Sequence, residues 1–187
     1  MLMLRSVIIT AGISLGIAFV IRFPSGVFFI PILIFLCIKG DCISIIWFII
    51  SSGLVLLCSG IVDFFTWGSL FHAPVEYFRF NILENKSSAW FGSEPVYWYL
   101  KILLVREHIL EELLLFIFIL FFIAGASRSI FCLSVFIFYL LCFSVISHKE
   151  FRFIIPLFPF VLILISLGID RLMVFKSEKA GRFFTIF

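Results

Sequence analysis

Seven consecutive residues, Ser147-His148-Lys149-Glu150-Phe151-Arg152-Phe153, hold the densest set of groups able to do chemistry. If a helix begins here, Lys149 and Arg152 are three apart and His148 and Arg152 four apart, so their cations fall on one face. A phosphate suits such a face, because charge-assisted contacts to its oxygens strengthen as negative charge accumulates there. The same residues also suit a basic anchor at a helix end, with long side chains reaching the headgroup level. Arg22 is a further cation, lying between two apolar runs and ahead of the turn-rich Phe23-Pro24-Ser25-Gly26. An arginine at such a depth either faces an anionic partner or extends to the lipid headgroups. Asp63 ends an apolar run, where it shapes a site or marks a membrane boundary. His108-x-x-Glu111-Glu112 has helical spacing but no second histidine nearby, and it reads as a helix start rather than a metal site. Asn85-Lys86-Ser87 matches a glycosylation acceptor. No Ser/His/Asp triad, glycine-rich phosphate loop or paired-carboxylate motif is visible.

The elements that carry these groups follow from composition. Of 187 residues, 64% are hydrophobic and 13% charged, so there are too few polar residues to cover a water-soluble fold of this size. That balance excludes a soluble enzyme, a nucleic-acid-binding module and a disulfide scaffold. The apolar runs are continuous rather than alternating, which argues against an outer-membrane barrel. The five cysteines form no CxxC pair and read as small buried hydrophobes. The expected fold class is an all-α membrane protein, a single multi-spanning domain over residues 1–187. About six crossings are expected, near 6–21, 23–38, 42–62, 109–126, 129–147 and 153–169. Pro156 and Pro159 are expected to open or kink the first turns of the last span.

Six crossings put Arg5, Lys39, Asp41, Arg128 and the tail 170–187 on one side. Arg22, the long segment 63–107 and the 148–152 loop fall on the other. The first side holds its lysines and arginines in short loops and the tail with few acids, so it is expected to be cytosolic. The 63–107 segment then faces the lumen or periplasm. In it Val75, Phe78 and Ile82 follow Pro74 at i, i+3 and i+7, the pattern of a helix lying in the membrane interface. Ser93-Glu94-Pro95 predicts a second helix start, leading into Val96-Tyr97-Trp98-Tyr99, whose Tyr and Trp favour the headgroup level.

The run Ser147 to Phe153, followed by Pro156, resembles the His-Lys-Glu-x-Arg-Phe signature of the membrane alpha-mannosyltransferases that use dolichyl phosphate mannose, the glycosyltransferase family 22 type. These enzymes build the lipid-linked oligosaccharide and the glycosylphosphatidylinositol (GPI) anchor. Two more stretches resemble the family in the same order. One is Gly16 to Arg22 with Ser25. The other is Val62-Asp63 with Phe80-Asn81, Asn85 to Ser88 and Gly92-x-x-Pro95-x-x-Trp98-Tyr99.

The resemblance implies a C-type glycosyltransferase fold, matched in its carboxyl-terminal part. It implies an enzyme that transfers mannose with inversion from a polyprenyl or dolichyl phosphate donor to a lipid-linked glycan or GPI-anchor precursor. Donor phosphate binding falls to Lys149, Arg152, His148 and Arg22. Glu150, Asp63, Asn81, Trp98 and Tyr99 shape the site. The donor is a substrate, so no cofactor or metal is implied, and the partners are the two lipids, the surrounding membrane and a separate amino-terminal half. The family's catalytic acid lies in a lumenal loop upstream of the matched segments, so no catalytic residue is assigned. A gene fragment, one half of a split enzyme and a degenerate relic stay open. The alternative function is a non-catalytic membrane subunit that binds a lipid-phosphosugar. The location implied is the endoplasmic reticulum membrane in a eukaryote or the inner membrane in a bacterium.

Overall fold

Long apolar runs free of interior proline form helices, and the described residues form helices joined by turns and short loops, with no strand among them. The computed structural model describes residues 2–104 and 109–184. The end of the 63–107 segment, His108 and the last three residues of the tail lie outside the described residues. Contact clustering divides the chain into two units, residues 1–95 with 145–149 and residues 96–144 with 150–187.

The first unit is built on α1 (Leu2–Ile21) and α3 (Cys42–Trp67), joined by a 3₁₀ turn over Phe23–Phe28 and α2 (Phe29–Ile38). Arg22 interrupts the path with extended backbone at φ −150° and ψ 99°. Pro24 follows in the first turn of the 3₁₀ segment, where its missing N–H costs nothing. Asp41 caps α3, its carboxylate accepting from the Ser44 N–H at 3.0 Å and the Ser44 hydroxyl at 2.6 Å. Those two bonds hold the Asp41 carboxyl below the usual carboxylate range. Gly12 and Gly16 let α1 approach α3 closely. A Cβ on Gly12 would lie 2.8 Å from the Phe48 carbonyl oxygen, and one on Gly16 would lie 2.9 Å from Val55 Cβ. The buried Ser51 and Ser52 hydroxyls return their hydrogen bonds to the Phe48 carbonyl, so the seam has no unsatisfied serine. Gly68, at φ 77°, stops α3 in the left-handed conformation.

After that stop come α4 (His72–Phe78), a π turn over Arg79–Leu83 and α5 (Lys86–Phe91). Val75, Phe78 and Ile82 stay exposed on the helical run, each at 46% or more. The charged face closes on itself: Arg79 meets Glu84 at 2.6 Å and Glu76 at 3.5 Å, and Lys86 meets Glu84 at 2.6 Å. Ser87 is buried, whereas Asn85 is exposed.

The second unit contains α6 (Trp98–Leu104), α7 (Ile109–Ala126), α8 (Ile130–Val145), the single turn α9 (Phe151–Ile154), a 3₁₀ turn over Ile155–Leu157 and α10 (Phe158–Phe184). Pro156 falls in the 3₁₀ turn, which accommodates it within a continuous helical run from Phe151 to Val174. Gly125 of α7 and Gly168 of α10 face each other. A Cβ on Gly125 would overlap the Leu164 carbonyl, and one on Gly168 would overlap the Phe121 carbonyl. Only a residue with no side chain permits this crossing. Arg171 then donates to the Ala124 carbonyl at 3.2 Å and to the Ser127 hydroxyl, satisfying groups at the end of α7.

Two helical stretches are long and apolar enough to cross a membrane: Cys42–Trp67, with 26 residues, and Phe151–Val174, with 24. At 1.5 Å per residue they reach about 39 and 36 Å, more than the roughly 30 Å hydrocarbon core. Only 22% and 28% of their apolar windows are buried within the protein. The core helix of a soluble domain would be mostly covered, so this exposure is compatible with a membrane protein. Four shorter apolar helices of 10–17 residues overlap the other expected runs without reaching the length of a crossing: Arg5–Ile21, Phe23–Ile38, Leu115–Ala126 and Ile130–Val145.

Candidate functional site

The helix carrying Arg152 begins at Phe151, because Glu150 is extended at φ −135° and ψ 148°. His148 and Lys149 therefore precede the helix, and helical spacing does not align them with Arg152. They belong to the first unit, whereas Glu150 and Arg152 belong to the second.

In the first unit the 146–149 loop is closed against residues 92–94. The Glu94 N–H donates to the Ser147 carbonyl at 3.0 Å. Lys149 Nζ donates to the Glu94 carbonyl at 3.0 Å and to the Ile146 carbonyl at 2.6 Å. His148 Nδ1 lies 3.2 Å from the Gly92 carbonyl oxygen, and its ring packs on Phe91 with centroids 5.6 Å apart. Gly92 turns the chain into this pairing at φ 89°, a value that favours glycine. His148 and Lys149 are both buried, at 7% and 5% exposure. Burial pushes the Lys149 ammonium below the ordinary lysine range, and the nearby Glu94 charge opposes that shift.

These bonds also correct the expected helix start at Ser93-Glu94-Pro95. Helix α6 begins at Trp98, and residues 92–95 are non-helical. Proline disfavours the α conformation in the residue before it, and the loop then claims both backbone groups of Glu94.

Asp63 is buried and accepts the Ala73 N–H at 3.0 Å, so it holds the first turn of α4. Asp63→Ala is expected to cost about 1 kcal/mol, the typical worth of a cap. A denaturant titration in detergent measures the loss. Asn81 Nδ2 donates to the Tyr77 carbonyl at 2.8 Å within its own helix. The Arg22 N–H donates to the Ala18 carbonyl and the Arg22 carbonyl accepts from Ser25, so the residue forms the joint between α1 and the 3₁₀ turn.

In the second unit Arg152 pairs with Glu150 through both Nη2, at 2.8 Å, and Nε. The Arg152 side chain is 64% exposed while Glu150 engages its Nε and Nη2. Tyr99 is fully buried and donates its hydroxyl to the Glu150 carbonyl at 3.2 Å, with Trp98 edge-on to its ring. Tyr139, also fully buried, donates to the Phe153 carbonyl at 2.8 Å. The two phenols fix the backbone on either side of Arg152. The role of Tyr139 carried no sequence signal, since a tyrosine inside a long apolar helix looks like any core aromatic. Among the described residues, no group of three His, Cys, Asp or Glu side chains is placed to hold a metal ion.

The described residues thus combine apolar helices, two of them long and apolar enough to cross a membrane, with a basic loop closed against its own carbonyls. Residues 4–187 match the Alg9-like mannosyltransferase family, and the chain belongs to it. It is 32% identical to a probable Dol-P-Man:Man(7)GlcNAc(2)-PP-Dol alpha-1,6-mannosyltransferase of Schizosaccharomyces pombe, over 71% of this chain and 23% of that protein. It is also 32% identical to GPI mannosyltransferase 3 of Candida albicans, over 83% of this chain and 32% of that protein. Human GPI alpha-1,2-mannosyltransferase 3 is 27% identical over 69% of this chain and 23% of its own length. The chain thus spans a quarter to a third of these curated relatives. No solved structure matches it.

Proposed function

We propose that this protein is a mannosyltransferase, or the carboxyl-terminal part of one, that moves mannose from a polyprenyl or dolichyl phosphate to a lipid-linked glycan or GPI-anchor precursor. The observation that carries the reading is the family match along residues 4–187, with relatives named for that transfer. In this reading the chain crosses the membrane about six times, with the 63–107 segment and the 148–152 loop on the non-cytosolic side of the endoplasmic reticulum in a eukaryote.

Donor phosphate binding rests with Arg152, Lys149, His148 and Arg22. The exposed guanidinium of Arg152, held by Glu150, suits the departing phosphate, whose charge grows as the sugar–phosphate bond breaks. Two N–H groups of Lys149 hold the loop. Glu150, Asp63, Asn81, Trp98 and Tyr99 support the surrounding backbone.

The test is transfer of labelled mannose from a polyprenyl phosphate donor by membranes containing the protein. Arg152→Gln is expected to lower transfer about tenfold, the worth of one charge-assisted hydrogen bond. No transfer at all, or full transfer by the variant, would overturn the assignment. Donor binding without transfer would favour a non-catalytic subunit that holds the lipid-phosphosugar.

A further inference from the structure

The chain has 28 phenylalanines and 4 tyrosines, yet Tyr99 and Tyr139 are among its fully buried large side chains. Phenylalanine would bury the same ring without taking a hydroxyl out of water, a transfer that is costly unless the hydroxyl finds a partner. Both hydroxyls donate to one four-residue stretch of the second unit, Tyr99 to the Glu150 carbonyl at 3.2 Å and Tyr139 to the Phe153 carbonyl at 2.8 Å. The second bond answers a defect made by Pro156. Helical partners for the Phe153 carbonyl would be the N–H groups three and four residues on. Pro156 has no N–H, and Leu157 lies in the 3₁₀ turn, whose bonds run to the residue three back.

Glu150 and Phe153 are also the residues that hold the Arg152 guanidinium. Glu150 engages its Nε and Nη2, and the guanidinium lies over the Phe153 ring, 5.8 Å from the centroid. The Phe153 ring packs on Phe143 with centroids 5.9 Å apart, and Phe143 stacks on Tyr139 at 4.6 Å. Tyr139 thus reaches Phe153 twice, by its hydroxyl and through the Phe143 ring.

We infer that Tyr139 is a positioning residue, whose hydroxyl holds the Phe153 backbone and, through the Phe153 ring, fixes the direction of the Arg152 guanidinium. Tyr99 does the same from the other side by holding Glu150. That the guanidinium so aimed meets the donor phosphate rests on the proposed function, whereas the aiming itself does not. Tyr139 acts through Arg152 and is assigned no contact with the donor.

The experiment uses the full chain in detergent with ¹⁵N-labelled arginine, in which the Arg152 Nε–H signal is the one that Arg152→Gln removes. Tyr139→Phe deletes one hydroxyl and keeps the ring. It is expected to shift that signal and to leave those of the other arginines in place. Tyr97→Phe, at an exposed phenol, is expected to shift none. Polyprenyl phosphate is then titrated into the same proteins. Tyr139→Phe is expected to weaken its binding about fivefold, the worth of one neutral hydrogen bond, and to have no further effect once Arg152 is replaced by Gln. A phenol that only stabilised the fold would give the same loss in both backgrounds. Should circular dichroism show that Tyr139→Phe does not fold, Tyr99→Phe carries the same comparison through the Glu150 carbonyl. An Arg152 signal that neither variant moves, or equal losses with and without Arg152, overturns the positioning role. A shifted signal in a chain that binds no polyprenyl phosphate leaves the positioning standing and overturns the donor reading.

Discussion

Lys149→Met is expected to lower mannose transfer roughly a hundredfold, more than the loss expected at the exposed Arg152. The substitution removes a positive charge and also strands two carbonyls, those of Ile146 and Glu94, which Lys149 Nζ now holds at 2.6 and 3.0 Å. Each acceptor left unpaired in a buried place costs roughly 1–3 kcal/mol, so the closure of residues 146–149 against 92–94 loosens. Transfer measured alongside a melting curve separates lost chemistry from lost fold.

The pH dependence gives a sharper readout. Only the protonated amine attracts a phosphate, and with two N–H groups on carbonyls only it has a third to donate. Burial lowers the Lys149 pKa, so this form is lost as pH rises through a value below the ordinary lysine range. The alkaline limb of kcat/KM, which reports groups of the free enzyme, should fall correspondingly early. Lys149→Arg keeps the charge at every accessible pH and should move that limb upward, while the longer, bulkier planar fork fits the two carbonyls less well and lowers the maximum. An alkaline limb identical in parent and Lys149→Arg proteins would show that another group titrates there.

Gly168→Ala is expected to destabilise the protein by about 3 kcal/mol, with the α7–α10 pair as the cause. The added methyl group overlaps the Phe121 carbonyl, and backbone cannot rotate away as the tip of a flexible side chain can. The same chemical change at Gly53, in the middle of α3, meets nothing within 4 Å. There alanine favours the helix by about 0.5–1 kcal/mol. Two identical substitutions thus have opposite signs, and parallel unfolding titrations in mixed micelles measure both. Equal effects at the two sites would mean that α7 and α10 are not in backbone contact.

Much of the architecture was legible because apolar content and run length act locally. A continuous run of valines, leucines and phenylalanines has few ways to satisfy its backbone in lipid, and a helix is the simplest. Helix bounds therefore fall close to the apolar runs, as with Cys42–Trp67 against 42–62 and Ile130–Val145 against 129–147. The start near Ser93 failed for a local reason joined to a distant one. Pro95 disfavours helix at Glu94, and Ser147 and Lys149 supply the partners for Glu94 from more than fifty residues away.

The same division holds at the loop around residue 150. Residue types alone marked His148, Lys149, Glu150 and Arg152 as the chemical centre, because such a charged cluster between apolar spans is costly unless it is used. They also determined the helical class and the family resemblance that the match along the chain supports. The direction of each side chain was decided only by the tertiary structure. Lys149 turns inward onto two carbonyls, whereas Arg152 stays exposed at the surface in its pairing with Glu150. Spacing along a chain specifies neighbours within one helix turn. Whether an ammonium meets a carbonyl or the solvent depends on which distant backbone arrives beside it, and packing alone supplies that information.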